Sequence, residues 1–220
     1  METSLHRQLK ERYATGSARI EAPLGAYRID VATDDELIEI QHGPLAAIRD
    51  KVRELLGEHR VRVVKPIVRR KQLIKQDAKG GEVLSQRRSP KAGGFLDVFD
   101  ELVHFLRVFP HSNLMIDVPL VDIEEWRYPG HGRRRWRRDR DHVVEDQKLS
   151  DIQETRRLHA AADLWQLLPA DLPAPFDTAD VAAATGVSRY QAQCIAYCLR
   201  ESGAARQVGK QGNSRLYERA

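Results

Sequence analysis

At 220 residues and 41% apolar composition the chain can bury a sizeable core, with room for one medium domain and a small one. It has no apolar run of about eighteen residues, no signal peptide and only two cysteines, which excludes a helical membrane protein and a disulfide-stapled secreted domain. The 36 Lys and Arg against 32 Asp and Glu leave a net charge of +4, too small to name a partner, so the placement of charge matters more than its sum. The expectation is a soluble, cytoplasmic protein with no membrane partner.

The first predicted element is a helix over Ser4–Tyr13, with Leu5 and Leu9 at helical spacing, Ser4 as cap, Gly16 as stop and Glu11 in the last turn. Residues 19–22 read as a short strand and Pro23-Leu24-Gly25 as a turn. Two strands follow, 26–29 leading into Asp30 and 37–41, joined by a turn at Thr33-Asp34-Asp35. Side chains alternate along a strand, so Glu39 and Gln41 share a face. If the two strands pair, Asp30 joins Glu39 at one edge, and two carboxylates beside a polar group suit a hard divalent cation. His42-Gly43-Pro44 breaks the strand and opens a helix with Leu45, Ile48, Val52, Leu55 and Leu56 on one face, stopped by Gly57. Val61–Val64 is a strand that ends before Pro66.

This order of helix, three strands, helix and strand carries an acid in the helix, Asp on the second strand and E-x-Q on the third. It resembles the PD-(D/E)xK nuclease superfamily over roughly residues 1–66, and within it the Holliday-junction-resolvase-like and competence-type nucleases. The resemblance implies an α/β (α+β) fold, with a restriction-endonuclease-like mixed sheet flanked by helices. It also implies metal-dependent hydrolysis of DNA phosphodiester bonds, with branched or damaged DNA among the candidate substrates. Asp30 and Glu39 would hold Mg2+ or Mn2+, Glu11 would be the helix acid, and Gln41 stands where a lysine is commonest. Glu21 is an alternative to Glu11. Glutamine lacks the charge that steadies a hydroxide nucleophile, and His42, Lys51 or Arg49 is a candidate to supply it.

Beyond this core, Ile67–Gln76 and 82–88 flank Asp77-Ala-Lys-Gly-Gly81 and read as a basic hairpin or long arm. Between Arg60 and Lys91, eleven Lys or Arg stand against two acids, which favours a phosphate-rich partner. Residues 95–109 read as an amphipathic helix on Leu96, Phe99, Val103, Leu106 and Val108. Residues 113–126 and 143–152 read as strands, with Asp117, Asp122, Glu124 and Glu125 on a solvated side. Between them, Arg133, Arg134, Arg135, Arg137 and Arg138 surround Trp136. They are expected to contact DNA phosphates, with the indole available to stack on a base.

Pro169, Pro173 and Pro175 mark a connection, which divides the chain into 1–168 and 169–220. In the tail, Thr178–Thr185 reads as a helix ended by Gly186, and Ser188 caps a second helix over 189–202. Strands at 204–208 and 215–217 surround a turn at 209–213, and Val181, Ala184, Val187, Ile195 and Leu199 are the expected core. Cys194 and Cys198 read as small apolar core residues. The segment resembles a winged helix-turn-helix domain. That implies Arg189, Tyr190, Gln191 and Gln193 at base edges and Lys210 and Arg215 at phosphate. The expected partner is DNA, with a homodimer left open. A non-catalytic DNA-binding or regulatory protein with a degenerate nuclease fold is the alternative.

Overall fold

The computed structural model describes residues 2–130 and 142–220, so the arginine run at 133–138 and Trp136 lie outside the described residues. Helix α1 (Ser4–Tyr13) buries Leu5 and Leu9. Its cap is Thr3, whose hydroxyl accepts the His6 N–H, and not Ser4. Ser4 instead donates its N–H and hydroxyl to the Asp146 carboxylate at 2.8 and 2.6 Å, which sets a negative charge at the positive end of the helix.

Strands β1 (Arg19–Leu24), β2 (Tyr27–Ala32) and β3 (Leu37–Ile40) form an antiparallel meander. β1 runs past the expected 19–22 because it is an edge strand, where Pro23 forfeits no ladder bond on its open side. A 3-10 helix (Leu45–Ile48) then leads into α2 (Arg49–Leu55) and back to β4 (Val61–Val64), which lies parallel to β3. A parallel pair needs such a crossover.

Past Lys65 and Pro66 the chain continues as β5 (Ile67–Gln76), which forms the expected hairpin with β6 (Val83–Arg88). A 3-10 helix (Phe95–Asp97) and α3 (Val98–Leu102) then precede β7 (Leu114–Pro129). β4 and β5 lie parallel along one edge of β7, and β8 (His142–Leu158) runs antiparallel along the other. The result is a mixed sheet of order β1-β2-β3-β4-β7-β5-β6, with β8 on β7 and helices against its faces.

The single helix expected over 95–109 is broken. Phe99, Leu102, Phe105 and Val108 are all buried, and they recur every third residue, the period of a 3-10 helix. Beyond α3 the bonds alternate between the two spacings, Phe105 N to Leu102 O and Val108 N to Phe105 O beside Val103 N to Phe99 O and Phe109 N to Phe105 O, so no continuous helix forms.

One face of the sheet packs Ile29, Leu37, Val63, Ile116 and Val118 against α2, α3 and the C-terminal helices. The other packs Val31, Ile38, Ile40, Val64, Val121 and Ile123 against Leu5 and Leu9 of α1.

The acids of β7 correct the expectation of a solvated side. Asp117 is 1% exposed and Glu125 3% exposed, and each is paired with two cations. Asp117 accepts from Arg62 at 3.0 Å and Arg157 at 2.9 Å, while Asp122 pairs with Arg69. Glu125 accepts from Lys71, from Arg127 Nε at 2.6 Å and from Gln147 at 2.9 Å. Glu124 is half-buried and accepts the Trp126 indole N–H. Alternation alone suggested solvent here, but β5 on one side of β7 is basic, and single cations from β4 and β8 complete the partners of the buried carboxylates.

The tail follows its predicted order. α4 (Thr178–Thr185) is capped by Asp177 in a reciprocal pair with Asp180, and it ends at Gly186 with φ 71°. α5 (Arg189–Glu201) is capped by Ser188. β9 (Ala205–Gln211) and β10 (Ser214–Arg219) form a tighter hairpin than expected, with Gly209 inside the ladder and the turn at Gly212-Asn213.

Val181, Ile195 and Leu199 are buried and Val187 packs at their margin, whereas Ala184 is exposed, a correction to the expected core. Cys194 and Cys198 are buried free thiols, as expected, and Cys198 Sγ lies 3.6 Å from Phe99 O. α5 therefore packs directly on α3, and the apolar cluster runs from the sheet into the tail. No helix among the described residues is long and apolar enough to cross a membrane.

Glu125 supplies a test of these buried pairs. Burial alone would raise its pKa, but Lys71, Gln147 and Arg127 outweigh it and hold the carboxyl down at about 2. The stability it contributes is complete above the ordinary glutamate value of 4.5 and fades as pH falls toward 2. Urea unfolding across this range should show that Glu125→Gln is less stable than the parent at neutral pH and has a flatter acid limb. An acid limb of parental steepness in the variant would assign that loss to other groups.

Candidate functional site

The β2–β3 ladder pairs Val31 with Ile38 and Ala32 with Leu37, and one further step sets Asp30 opposite Glu39. The ladder stops there. Asp30 Oδ2 accepts the Ile40 N–H at 2.8 Å, so a side chain replaces the backbone partner and the strands fork. On the other side of β2, the β1 register sets Glu21 opposite Asp30, and Glu21 has φ 56°, an uncommon conformation for a residue with a Cβ. Glu21, Asp30 and Glu39 therefore lie in one register row across three strands.

Each carboxylate has a basic partner. His6 Nε2, on α1, lies 3.2 Å from Asp30 Oδ2. Lys51 Nζ, on α2, lies 2.6 Å from Glu39 Oε1 and donates to Arg28 O at 2.7 Å. Lys10, one turn beyond His6, is buried between Glu2 and Glu21, and Arg28 pairs with Glu21 from outside.

The two central acids are pushed apart in acidity. Burial acts to raise Asp30, but the contact with His6 and the Ile40 N–H outweigh it and hold its pKa below the usual aspartate value. In Glu39 burial wins over Lys51 and its pKa is raised. The Asp30 contact lifts the pKa of His6, while burial followed by Lys65 and Lys71 depresses that of His42. Opposed shifts in neighbouring carboxyls are a pattern found in acid–base pairs.

The other sequence-predicted residues fall unevenly around this point. Glu11 is exposed beside Arg7, because it lies about 200° around the helix from the buried Leu9. Gln41 keeps the face of Glu39 by parity, but its amide donates to Pro44 O at 2.8 Å. Of the three candidate cations, Lys51 reaches the site, Arg49 pairs with Asp50, and His42 flanks the site.

His6, Lys10 and Lys65 were not singled out by sequence. The spacing of His6 and Lys10, i and i+4 beside Leu5 and Leu9, was the available signal. Lys65 follows β4 beside Gln41 and is 3% exposed. It donates to Gly43 O at 2.7 Å and pairs with Glu101 at 3.1 Å, which pins the loop after β3 to α3. Among the described residues, no three His, Cys, Asp or Glu side chains converge as a ready metal cage.

A second polar surface lies on the tail. Arg189, Tyr190 and Gln193 open α5, whereas Gln191 turns inward and donates to Asp97 at 3.2 Å. Lys210 and Arg215 are exposed and face each other across the β9–β10 hairpin.

A family model described as a domain of unknown function, DUF8091, matches residues 3–159. The chain belongs to that family. The DUF8091 region takes in α1 to β8 and so the whole fork. A second model, described as FaeA-like protein, matches residues 168–218, from the proline-rich connection to the C-terminal hairpin. The chain is 29% identical to an "Uncharacterized protein" of Treponema pallidum (strain Nichols), over 99% of this chain and 85% of the relative. No solved structure matches.

The Lys51–Glu39 contact can be tested alone. Lys51→Met removes two of the interactions that favour ionised Glu39 and leaves the burial that opposes it. A carboxyl titration by carbon-detected NMR should show the Glu39 pKa rising further in this variant, with Asp30 much less affected. A Glu39 titration identical to the parent would mean that Lys51 does not engage it in solution.

Proposed function

We propose that this protein is a divalent-cation-dependent DNA endonuclease acting through the Asp30–Glu39 fork. The observation that carries the reading is the fork itself, where Asp30 takes the Ile40 N–H and stands opposite Glu39, one step beyond the last pair of the ladder. The surrounding order α1-β1-β2-β3-α2-β4, paired antiparallel, antiparallel and then parallel, supports a restriction-endonuclease-like core of the PD-(D/E)xK kind. The order α4-α5-β9-β10, with a strand-like bridge between Phe176 and Tyr217, supports a winged helix.

The donor set fits a hard cation. Glu39 is buried, and the partner of its Oε1 is the Lys51 ammonium at 2.6 Å, so the carboxylate already sits against a positive charge. Magnesium takes only one or two protein carboxylates and completes its shell with water and phosphate, so Asp30 and Glu39 suffice, with Mn2+ as the alternative ion. When bound, the ion would supply Lewis-acid activation of the phosphate and of a water.

The chain's own residues do the rest. Asp30, fixed by Ile40 N–H, keeps its carboxylate ionised at the fork. Glu39 would hold the cation in place of its contact with Lys51, and Lys51 would balance charge on the phosphate, the part that Gln41 is turned away from.

One observation favours a second reading. His6 and Lys51 already occupy the two acids, which suits a DNA-binding or regulatory protein that keeps the fold without turnover.

Plasmid nicking and cleavage of branched DNA, with and without Mg2+ or Mn2+, decide between them. The parent should cut only with metal, and Asp30→Asn or Glu39→Ala should reduce the rate by at least about a hundredfold while DNA binding stays within about twofold. Cutting in chelator, or undiminished cutting by both variants, would move the active site elsewhere. A parent inert with either metal would leave the regulatory reading.

A further inference from the structure

The tail carries a concave surface that the fork does not use. α5 and the tip of the β9–β10 hairpin border a groove of about 540 Å³. Arg189, Tyr190, Gln193, Tyr197 and Arg200 line it from α5 and Arg215 from β10, and no carboxylate lines it. Positions 189, 193, 197 and 200 recur every three or four residues, so one helix face presents arginine, amide and aromatic groups together.

Two features of this face are unexplained by packing. Tyr190 is 70% exposed and Tyr197 42% exposed, large rings left in water on a helix whose other face is fully used. Arg189 and Arg215 have no carboxylate partner among the described residues. Arg200, by contrast, is paired with Glu201 and sits with its guanidinium 5.6 Å from the Tyr197 ring centre. Arg215 also faces Lys210 directly across the hairpin, and like charges so placed repel until an anion lies beside them.

We propose that this groove binds an unpaired nucleotide, with the base against Tyr190 and Tyr197 and the phosphate against Arg189 and Arg215. The proposal deepens the reading of the protein as acting on DNA, because it names DNA with unpaired bases as the substrate class. The volume is in the range of sites for single small ligands, whereas a duplex presents a groove about 12 Å wide for a protruding helix to enter. Gln191, near the start of α5, is turned away to Asp97 and is not offered to a base edge. Stacking on tyrosine tolerates any base, and the arginines recognise backbone charge, so the site selects strandedness and not sequence. The same chemistry would accept a free mononucleotide.

Fluorescence anisotropy with full-length protein in chelator tests this without any need for turnover. The probes are a labelled single-stranded oligothymidylate, the matching duplex, and the duplex with a short unpaired bulge. The single strand and bulge should bind at least about tenfold more tightly than the duplex. Tyr190→Ala and Tyr197→Ala should each weaken single-strand binding by about tenfold, with Tyr190→Phe restoring it, because the ring and not the hydroxyl stacks. Arg215→Ala should lower the slope of log affinity against log salt by about 0.7.

Displacement of the oligonucleotide by thymidine monophosphate at similar concentration would support the site and make a free nucleotide its occupant. Equal binding of duplex and single strand, or tyrosine variants that fold and bind like the parent, would overturn the proposal. Single-strand binding in a protein that never cuts would sink the nuclease reading alone.

Discussion

Where Asp30 accepts the Ile40 N–H, a β-ladder ends and a carboxylate is fixed by the backbone of the next strand. A strand pair normally spends its N–H groups on its partner's carbonyls, and at Asp30 the side chain takes that role. The fork this creates lets α1 reach the site from one face of the sheet and α2 from the other. His6 meets Asp30 and Lys51 meets Glu39 because the two strands no longer close over the gap. Glu21 joins from β1 only with its backbone in a left-handed conformation, a local strain of the kind that concentrates at functional positions.

Much of the fold was legible because short-range signals agreed with each other. Leu5 and Leu9 marked α1, the Asn-free turn at Thr33-Asp34-Asp35 marked the β2–β3 hairpin, and Gly186 and Ser188 marked the join of α4 and α5 to the residue. What sequence could not show was anything that depends on a partner distant along the chain. Asp117 and Glu125 looked solvated because Arg157 and Lys71, which neutralise them, lie 40 and 54 residues away. The helix expected over 95–109 failed for a related reason. Burying Phe99, Leu102, Phe105 and Val108 together imposed a threefold period that helical spacing of the other apolar residues concealed.

The candidate site divides along the same line. The strand parity of Glu39 and the position of Asp30 followed from alternation and from the turn between them. Glu11 was chosen by its place in the last helical turn, and the orientation of that turn, set by Leu5 and Leu9 entering the sheet, points it outward. Lys65 carries no local mark at all. Its role becomes visible only when β4 lies parallel to β3 and α3 brings Glu101 to its ammonium.

The grip of Asp146 on Ser4 joins two parts of the molecule that sequence keeps 142 residues apart. Ser4 opens the helix that carries His6, and Asp146 lies in β8 just after the chain leaves the arginine run. His6 therefore takes its place beside Asp30 partly from β8, because the carboxylate that anchors the first turn of its helix belongs to that strand.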